Sequence, residues 1–440
     1  MSRRDVLFIA YYFPPAGGSG VQRSSKFVRY LPEHGFRPVV VTGPGSDNGR
    51  WTPPDPSLED DVAEDVPVLR LPGPVPGDGA GLAWRARRFL RFATPFDRWW
   101  SDGATRLGRQ QPDVSLVYAS MSPFSTAPAA SRLARELGVP WVADLRDPWA
   151  LDEHFVYPSA IHWQLERRRM GTLLDTAAAI VLPTPGTHER VDRFFPELAG
   201  RTVEIWNGFD PADFAGPQPE RRDDVFHLVH AGYFYGDVGR RRLRRLLGGS
   251  DLDIDLRPHS PDFLLAALER LVERHPELRD RIRVHLAGPL TVREEEALER
   301  SRCRDLVEAH GYLPHEESLG LVRSADALFL PLHRLPRGGR STIMPAKLYE
   351  YLASGRPILA AVPEGDARDM LEGADWTVIC APDDVEGMCQ GLLSLLDRMA
   401  ARRGKQADRR ELLPLLERPH LAAELAKTFD GVLAEDRRAA

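Results

Sequence analysis

Short apolar runs alternate with longer amphipathic segments along the whole chain, and this alternation constrains the fold more than any other feature. Strands buried in a parallel sheet read as nearly continuous apolar runs, and each needs a crossover before the next strand. Seven strands are predicted in the first half: DVLFIAYY, PVVVTG, VPVLRL, VSLVYAS, PWVADLR, AAIVLP and TVEIWN. Six follow in the second half: VFHLVHAG, RIRVHLAG, DLVEAHGYL, ALFLPL, PILAAV and WTVICAP.

The segments between these strands have helical periodicity. The predicted helices are VQRSSKFVRYLPEHG, TAPAASRLARELG, SAIHWQLERRRMGTLLDT, DFLLAALERLVERH, AKLYEYLASG and VEGMCQGLLSLLDRMA. Because the alternation restarts midway, it predicts an α/β protein with two similarly wound, Rossmann-like domains. Proline, glycine and charge cluster at 207–224 and place the boundary near Phe214, which gives domains 1–214 and 215–440. A last helix near 418–435 is predicted to cross back to the first domain.

Three stretches interrupt this alternation. Segments 43–58 and 72–81 are rich in proline and glycine and are predicted as surface loops. The stretch 237–260 is interpreted as an insertion, and it carries five arginines between Arg240 and Arg245. Such a cluster is typical of a solvated face, with contact to a donor molecule or a membrane as the alternative.

Charge and cysteine content exclude several classes of protein. The formal net charge of -6 comes from 58 basic and 64 acidic residues spread along the chain, which gives no broad basic surface for nucleic acid. The odd number of cysteines, without paired-ligand spacing, argues against a disulfide framework and a structural zinc site. A reducing cytoplasm is the predicted location, because the first apolar run is short for a signal sequence or a membrane span. The cysteines are Cys303, Cys380 and Cys389.

The first predicted strand ends in YYFPPAGGSG, where two prolines and three glycines precede a helix. This is the position at which an α/β domain binds phosphates or sugars through free backbone N–H groups. A dinucleotide fingerprint fits Gly18 and Gly20, but Arg23 replaces its third glycine and no acidic residue closes the next strand. The Gly-Lys-Ser/Thr of a Walker loop is absent as well. The stretch predicts a ligand-binding turn other than a nicotinamide site, with a strained turn that binds nothing as the alternative.

A second constellation is STIMPAKLYEYLASGRP, residues 341–357, which reads as a helix opened by Pro345 and ended by Gly355. A helix N-terminus with a nearby lysine favours anions, which points to Lys347. Glu350, further along the helix, is suited to hydroxyl groups rather than phosphates. The alternative is that Lys347 and Glu350 are solvated surface charges, as such residues usually are.

These motifs, in this order, resemble the family 4 glycosyltransferases of the GT-B fold, in particular a bacterial branch. The motifs are YYFPPAGG (11–18), DLRDPW (144–149) and PAKLYEYLASGRP (345–357), supported by WNGFDPADF (206–214), HAGYFY (230–235), HLAGPL (285–290) and GYLPHEESLGLVRSADALFLPL (311–332). The resemblance covers most of the chain and implies two Rossmann-like domains that face one cleft. It also implies a retaining, metal-independent transfer of a sugar from a nucleotide diphosphate donor to a hydroxyl acceptor.

The resemblance implies roles for individual donor-side residues. The glycine loop of Gly17, Gly18 and Gly20 would approach the donor diphosphate and the acceptor. Glu350 matches the second glutamate of the family's E-x7-E motif, which implies hydrogen bonds to the donor ribose. Thr342 stands at the position of the first glutamate, the residue that contacts the transferred sugar in the wider family.

Family members also carry two basic residues that neutralise the diphosphate early in the second domain. In this chain the first position falls near Tyr233, and the resemblance assigns the second to Arg257, displaced by the insertion. Lys347 is expected to supply the missing charge. Arg257 and Lys347 are therefore the predicted cations that stabilise the leaving diphosphate.

DLRDPW ends a predicted strand, and the carboxyl ends of parallel strands face the ligand crevice of an open sheet. Asp147 or Asp144 is predicted to accept or orient the acceptor's hydroxyl proton, with Arg146 beside them. An internal Asp–Arg pair that braces the loop is an equally good interpretation. Ser120, with Ser122, stands where family members often have a histidine, so Ser120 is placed on the acceptor side and no catalytic histidine is assigned.

Two further patterns favour structural roles. His227, His230 and His285 lie within predicted strands, which favours core or edge positions over catalysis. Arginines alternate with aromatic residues in WRARRFLRFATPFDRWW, residues 84–100. This pattern is typical of a helix that covers the sheet, and peripheral contact with the inner face of a membrane is the alternative.

The sequence therefore predicts a glycosyltransferase that takes a nucleotide sugar, and UDP, the commonest choice, is the expected nucleotide. The acceptor is predicted to be a glycan, a lipid-linked saccharide or another small molecule, and no cofactor, metal or nucleic acid is expected. A nucleotide-sugar epimerase or phosphorylase of the same fold is one alternative. A non-catalytic partner that binds nucleotide sugar is the other, since the first glutamate and the histidine are both missing.

Overall fold

The computed structural model describes residues 4–45, 53–73, 94–216, 224–236, 247–250, 252, 254–336, 338–372, 377–402 and 412–439. Their contacts divide the chain into two compact units. Unit 1 contains the described residues up to Asn207 together with 247–250 and 417–439. Unit 2 contains the described residues from Gly208 to Leu416 outside 247–250. The last helix of the chain thus belongs to unit 1.

Unit 1 is built on a seven-stranded parallel sheet with the spatial order β3-β2-β1-β4-β5-β6-β7. The winding direction reverses between β1 and β4, whose register pairs Val6 with Leu116. The strands are β1 (Arg4–Ala10), β2 (Phe36–Thr42), β3 (Val68–Arg70), β4 (Leu116–Met121), β5 (Trp141–Leu145), β6 (Ala179–Leu182) and β7 (Thr202–Glu204).

Helices cover both faces of this sheet. They are α1 (Ser19–Tyr30), α2 (Pro95–Gly108), α3 (Thr126–Leu137), α4 (Ala160–Leu174), α5 (Pro185–Phe194) and α13 (Arg418–Ala439). Successive residues of β1 point to opposite faces, so that Leu7 packs with α2 and α3 while Phe8 packs with α1 and α13. Phe429 of α13 meets Phe36 edge to face at 5.2 Å, which joins the last helix to the core of unit 1.

Unit 2 repeats the architecture with a six-stranded parallel sheet in the order β10-β9-β8-β11-β12-β13. Its strands are β8 (Phe226–Ala231), β9 (Ile282–Ala287), β10 (Val307–Gly311), β11 (Ala327–Pro331), β12 (Ile358–Ala361) and β13 (Thr377–Cys380). Its helices are α6 (Asp262–Arg274), α7 (Val292–Arg300), α8 (His315–Ser324), α9 (Ala346–Ser354), α10 (Asp366–Glu372), α11 (Val385–Arg402) and α12 (Leu413–Leu416). A core of α6, α7 and α11 side chains packs on one face of the sheet.

The predicted fold class, two Rossmann-like α/β domains, is confirmed, and each predicted strand coincides with one of the strands above. The helices α5, α7, α8, α10 and α12 were not predicted, whereas α2 begins within the stretch 84–100 that was interpreted as a helix covering the sheet. Gly138 ends α3 in the left-handed region with φ 67°, as its role as a helix stop requires. The three cysteines are buried and free. Among the described residues, no helix combines the length and apolar character that a membrane span requires.

Candidate functional site

The polar motifs of unit 1 gather where its strand order reverses. β1 and β4 are neighbours in the sheet, β5 lies next to β4, and all three run in the same direction. The loops that follow them therefore leave from one edge of the sheet, which is where open α/β sheets bind ligands. These loops are the glycine-rich turn at 11–18, the segment around Ser122 and the DLRDPW loop.

The glycine-rich turn is less bare than its composition suggests. The N–H of Gly17 donates to the carbonyl of Pro53 at 2.7 Å, and the N–H of Asp55 donates to Pro15 at 2.7 Å. Asp55 is buried while Pro54, Pro56 and Ser57 are exposed, so the described part of segment 43–58, predicted as a surface loop, also packs against the turn. Gly18 has φ 100° and caps α1 without a side-chain contact, a conformation that favours glycine.

Gly20 makes room for an arginine of the DLRDPW loop. A Cβ on Gly20 would lie 1.3 Å from Nη1 of Arg146, so the guanidinium occupies the space that a side chain would fill. The same guanidinium lies 5.5 Å from the ring centre of Tyr12 and 3.5 Å from Asp147. The turn after β1 therefore carries a cation over its last glycine, at the edge of the sheet where a ligand would bind.

Asp144 forms the core of a buried ion pair. Nε of Arg23 donates to one carboxylate oxygen at 2.8 Å and Nη2 donates to the other at 3.0 Å. Tyr118 also donates its hydroxyl to Asp144, and burial with the nearby carboxylate raises the pKa of this phenol well above its ordinary value. Arg23 donates further to the carbonyl of Trp206 at 2.6 Å. Because Asp144 and Arg23 are almost completely buried, the geometry favours the structural interpretation of Asp144 over contact with an acceptor.

The remaining acceptor-side residues differ in exposure. Ser120 is buried at the end of β4, where the hydroxyl of Ser24 donates to it at 3.4 Å. Asp147 has 46 % of its side chain exposed and stays in contact with water. Desolvation by the surrounding protein raises the pKa of Asp147, while Arg146 opposes this shift. Asp147 is thus the exposed member of the predicted acceptor set, and Arg146 beside it has only 13 % of its side chain exposed.

The DLRDPW loop continues into a second carboxyl group with a perturbed pKa. Desolvation, with repulsion from Asp147 as the next cause, raises the pKa of Asp152 to about 8. Its carboxylate accepts the N–H of His154 at 2.7 Å, which limits the shift. Carboxyl groups whose pKa values are raised by burial and by a neighbouring charge are typical of functional sites.

In unit 2 the candidate site lies at the N-terminus of α9, next to the end of β8. Pro345 caps the helix, and the N–H of Leu348 donates to its carbonyl at 2.9 Å, while the N–H groups before Leu348 precede the first intrahelical bond, as at any helix start. Tyr351 fixes the helix to the sheet by accepting the N–H of Ala231 at 2.8 Å. This contact brings Lys347, one turn before Tyr351, to the end of β8.

Lys347 is the most perturbed cation of this site. Its Nζ lies 3.2 Å from Nε2 of His230 and 3.4 Å from the carbonyl of Tyr233. Nδ1 of His230 lies 3.0 Å from the carbonyl of Phe329, which places the proton on Nδ1 and leaves Nε2 as the acceptor for Lys347. Burial lowers the pKa of Lys347 to about 7, with Glu350 opposing, and burial beside Lys347 lowers the pKa of His230 well below its ordinary value.

Backbone atoms close the site around this lysine. Gly232 follows β8 with φ 103°, and a Cβ there would lie 3.0 Å from Cε and Nζ of Lys347. Its N–H donates to the carbonyl of Ala287 at 2.7 Å, so the turns after β8 and β9 meet backbone to backbone. Tyr233 enters the site through its carbonyl oxygen, since that is the atom nearest Lys347.

The two positions of the E-x7-E motif lie on either side of Lys347. Glu350 is one turn further along α9 and partly exposed, and it acts electrostatically on Lys347. Thr342 is mostly buried in the segment that leads into the helix. The neighbouring Ser341 donates its N–H to the carbonyl of Glu364 at 2.8 Å, which fixes this segment against the loop before α10.

Arg257 is not part of this cluster. Its Nε lies 3.0 Å from both carboxylate oxygens of Asp255, and 60 % of its side chain is exposed. The hydrogen bonds to Arg257 lower the pKa of Asp255 to about 2. Among the described contacts, none joins Arg257 to Lys347. The predicted pair of leaving-group cations is therefore represented here by Lys347, with Arg257 held in a separate surface ion pair.

Some features of the sequence fall elsewhere. The arginines at 240–245 and residues 84–93 of the arginine-aromatic stretch lie outside the described residues. The described end of that stretch begins α2, where Trp100 is buried and donates to Thr126 at 2.9 Å. The sequence predicted no ligand-related role for His230, because its position in a strand does not reveal its contact with Lys347. It predicted no partner for Arg23, because the replacement of a motif glycine does not reveal the contact with Asp144.

Two family models match the chain, one in each half. Residues 17–208 match a model described as glycosyl transferase 4-like domain, and residues 256–398 match one described as glycosyl transferases group 1. The curated glycogen synthase of Mycobacterium tuberculosis is 26 % identical over 419 residues, which cover 92 % of this chain and 89 % of the relative.

Solved structures share the fold at low identity. A structure of Anabaena HepE in complex with UDP and glucose has a TM-score of 0.56 at 14 % identity, covering 97 % of this chain and all of the other. A structure of a putative UDP-N-acetylglucosamine 2-epimerase from Listeria monocytogenes has a TM-score of 0.58 at 13 % identity, covering 99 % and 98 %. Both likenesses concern the fold alone.

Proposed function

We propose that this chain transfers a sugar from a nucleotide diphosphate donor to a hydroxyl acceptor. The family matches and the curated relatives support a glycosyltransferase of the GT-B fold, which is the premise of this proposal. Unit 2 binds the donor and unit 1 binds the acceptor. UDP is the proposed nucleotide of the donor, since the Anabaena neighbour was solved with UDP and glucose. The acceptor is a glycan, a lipid-linked saccharide or another small molecule.

The observation that carries this proposal is the environment of Lys347. A partly buried amine whose described contacts are one imidazole nitrogen and one carbonyl, and whose pKa is lowered to about 7, gains its proton when an anion arrives. The N–H groups at the start of α9 add donors and a favourable dipole at the same place. A diphosphate fits this combination of one amine that can gain a proton and several fixed N–H donors.

The chemistry requires such groups. When the bond between the sugar and the phosphate breaks, negative charge develops on the departing diphosphate, and preorganised donors stabilise it without reorganising. Protonated Lys347 and the helix N-terminus supply these donors, Glu350 accepts from the ribose hydroxyls, and Thr342 lies on the side of the sugar. One such donor typically contributes about 100-fold to 1000-fold in rate.

Retention follows if the acceptor oxygen attacks the anomeric carbon from the face that the diphosphate leaves. The acceptor's proton then passes to the departing phosphate oxygen, so no protein nucleophile and no metal ion takes part. Asp147 and Arg146 are the proposed acceptor-side residues, because Asp147 is the exposed carboxylate of the DLRDPW loop and Arg146 lies 3.5 Å from it. Asp147 orients the acceptor hydroxyl. A cytoplasmic location with peripheral contact to a membrane is part of the same proposal, as lipid-linked acceptors would require.

The test separates donor binding from transfer. The full chain is heated with UDP, GDP, ADP or TDP, and one nucleotide at about 100 times its dissociation constant is expected to stabilise the fold by about 2.7 kcal/mol. Sugar nucleotides carrying the same base are then incubated with candidate acceptors, and nucleotide release is measured. Asp147→Asn should keep the thermal stabilisation and lose transfer. Asp102→Asn, an exposed residue of α2 that pairs with Arg132, serves as the control and should lose neither.

Two other functions give different results in this experiment. Conversion of the donor without any acceptor would favour an epimerase, a function that the name of the Listeria neighbour assigns to that protein. Phosphate-dependent cleavage would favour a phosphorylase. Stabilisation by one nucleotide without release from any donor would favour a non-catalytic nucleotide-sugar-binding partner, which Thr342 in place of the first motif glutamate would explain.

A further inference from the structure

Three histidines of unit 2 form a stacked row across neighbouring strands. Nδ1 of His227 on β8 lies 2.8 Å from Nε2 of His285 on β9, and Nδ1 of His285 lies 3.1 Å from Nε2 of His310 on β10. Their rings stack with centroids 5.1 and 5.3 Å apart. Glu308 completes the group, with its carboxylate 3.4 Å from Nδ1 of His285.

The sheet itself brings these side chains together. Glu308 and His285 are direct partners in the β9–β10 register, so their side chains leave the same face side by side. The register shifts between Ala309 and Gly311, which leaves His310 as the extra residue of a bulge. Bulges re-aim a side chain, and here the ring of His310 comes within contact of the same nitrogen of His285.

The geometry points to a site for a divalent transition metal, of the Zn²⁺ class, bound by His285 Nδ1, Glu308 and His310 Nε2. One atom from each of these residues lies within 4.8 Å of the others. With bonds of 2.0 to 2.1 Å, two ligand atoms of a tetrahedral zinc ion lie about 3.3 Å apart. The two separations around His285 Nδ1 are 3.1 and 3.4 Å, so these two pairs already have the spacing that such an ion requires.

The partners of His285 suit this role. Its Nε2 faces His227, so a proton on Nε2 donated to Nδ1 of His227 leaves Nδ1 with the lone pair that a metal requires. His285 and His227 are buried, whereas Glu308 and His310 are exposed. The buried His285 would hold one coordination position in place, and the exposed Glu308 and His310 would let the ion enter from solvent. Two imidazoles with one carboxylate form a donor set that zinc commonly uses, with water at the fourth position.

The experiment measures binding of Zn²⁺ alone to the full chain, in competition with a chromophoric chelator. One equivalent is expected to bind, and His310→Gln and Glu308→Gln should each weaken the affinity at least about tenfold. His275→Gln is the matched control. His275 and Glu277 form a surface pair with the same 3.4 Å separation but without a third ligand in the described part of unit 2, so this change should leave the affinity as it is.

Co²⁺ gives a second measurement, because four-coordinate cobalt absorbs visible light far more strongly than six-coordinate cobalt. The wild-type chain and His275→Gln should show the strong bands, and His310→Gln should lose them while keeping the thermal stability of the metal-free wild type. Absence of saturable Zn²⁺ binding, or equal affinity in wild type and His310→Gln, would overturn the proposal and leave a hydrogen-bonded row of imidazoles. The outcome is independent of the proposed transfer reaction, since no nucleotide or acceptor is present.

Discussion

A cation lies at the candidate site of each unit, Arg23 fully buried and Lys347 partly buried, and the two are satisfied in different ways. Arg23 of unit 1 makes a two-point contact with Asp144 and donates to backbone carbonyls as well. Lys347 of unit 2 contacts one imidazole nitrogen and one carbonyl, and Glu350 acts on it only through space. The arginine is therefore paired within its own unit, whereas the lysine is held beside neutral groups.

This difference separates structural charge from functional charge. A buried charge costs free energy unless it is paired, and an unpaired group responds by shifting its pKa towards the neutral form. Lys347 follows that rule, whereas Arg23 has the carboxylate of Asp144 as its counter-charge. Arg23 is thus assigned to the stability of unit 1, and Lys347 to binding an anion that arrives from outside.

The largest effect is expected from breaking the paired charge. Arg23→Met leaves Asp144 buried without its partner, and such losses typically cost about 3 to 5 kcal/mol. Urea denaturation should show this decrease in the free energy of unfolding. The double variant Arg23→Met with Asp144→Leu should be less destabilised than the sum of the single variants, because both charges are gone. Additive losses would mean that the pair does not couple, and the comparison with Lys347 would lose its basis.

The opposite pattern is expected for Lys347→Met. Replacing a lysine that burial already disfavours should leave stability unchanged or raise it by up to a few kcal/mol, whereas nucleotide release from the donor should fall about 100-fold to 1000-fold. Initial rates and urea denaturation measure the two effects separately. Lys427→Met is the control, since Lys427 is an exposed residue paired with Glu424 on α13, and it should change neither quantity. Parallel losses of stability and rate would assign Lys347 to structure.

Much of the fold was accessible from sequence because its determinants are local. Apolar runs such as PVVVTG and the stops at Gly138 and Gly355 encode strands and helix ends within a few residues of themselves. The short helix α10 was missed because it begins after a buried glycine turn fixed by Ser341, a residue distant in the chain. Local periodicity carries no record of such a contact.

The site was only partly accessible for the same reason. Lys347 was found because a lysine at a helix start has a local signature. His230 and Arg23 were not, since their roles depend on partners 117 and 121 residues away. Arg257 was assigned by analogy with the family, on the interpretation that an insertion displaces the family's basic position. The arginines of that insertion lie outside the described residues. A change of a few residues in the alignment across the insertion is enough to change the assignment. The row of His227, His285 and His310 could not be predicted, because strand pairing brings these residues together and their spacing in the sequence forms no recognisable motif.

A pH dependence sharpens the assignment of Lys347. Burial lowers its pKa from 10.5 to about 7, so between these values the unfolded chain binds the extra proton and stability rises with pH. A bound diphosphate restores the proton. At pH 8, binding should therefore take up a proton, and affinity should fall by up to about tenfold per pH unit above 7. Calorimetry in two buffers with different ionisation enthalpies measures this uptake. Its persistence in Lys347→Met would assign the proton to another group.

The smallest effect is expected from a third cation, Arg257, which is neither buried nor unpaired. Its contact with Asp255 lies at the surface, where ion pairs contribute about 0 to 1 kcal/mol because water and salt screen them. Arg257→Ala should therefore change the free energy of unfolding by less than about 1 kcal/mol and leave nucleotide release within a few-fold of wild type. Arg334→Ala, which removes a second arginine from the same carboxylate, is the matched control and should behave alike. A loss of rate comparable to that of Lys347→Met, confined to Arg257, would mean that the arginine leaves Asp255 to contact the diphosphate. Exposure would then fail as a criterion for separating structural from functional cations in this protein.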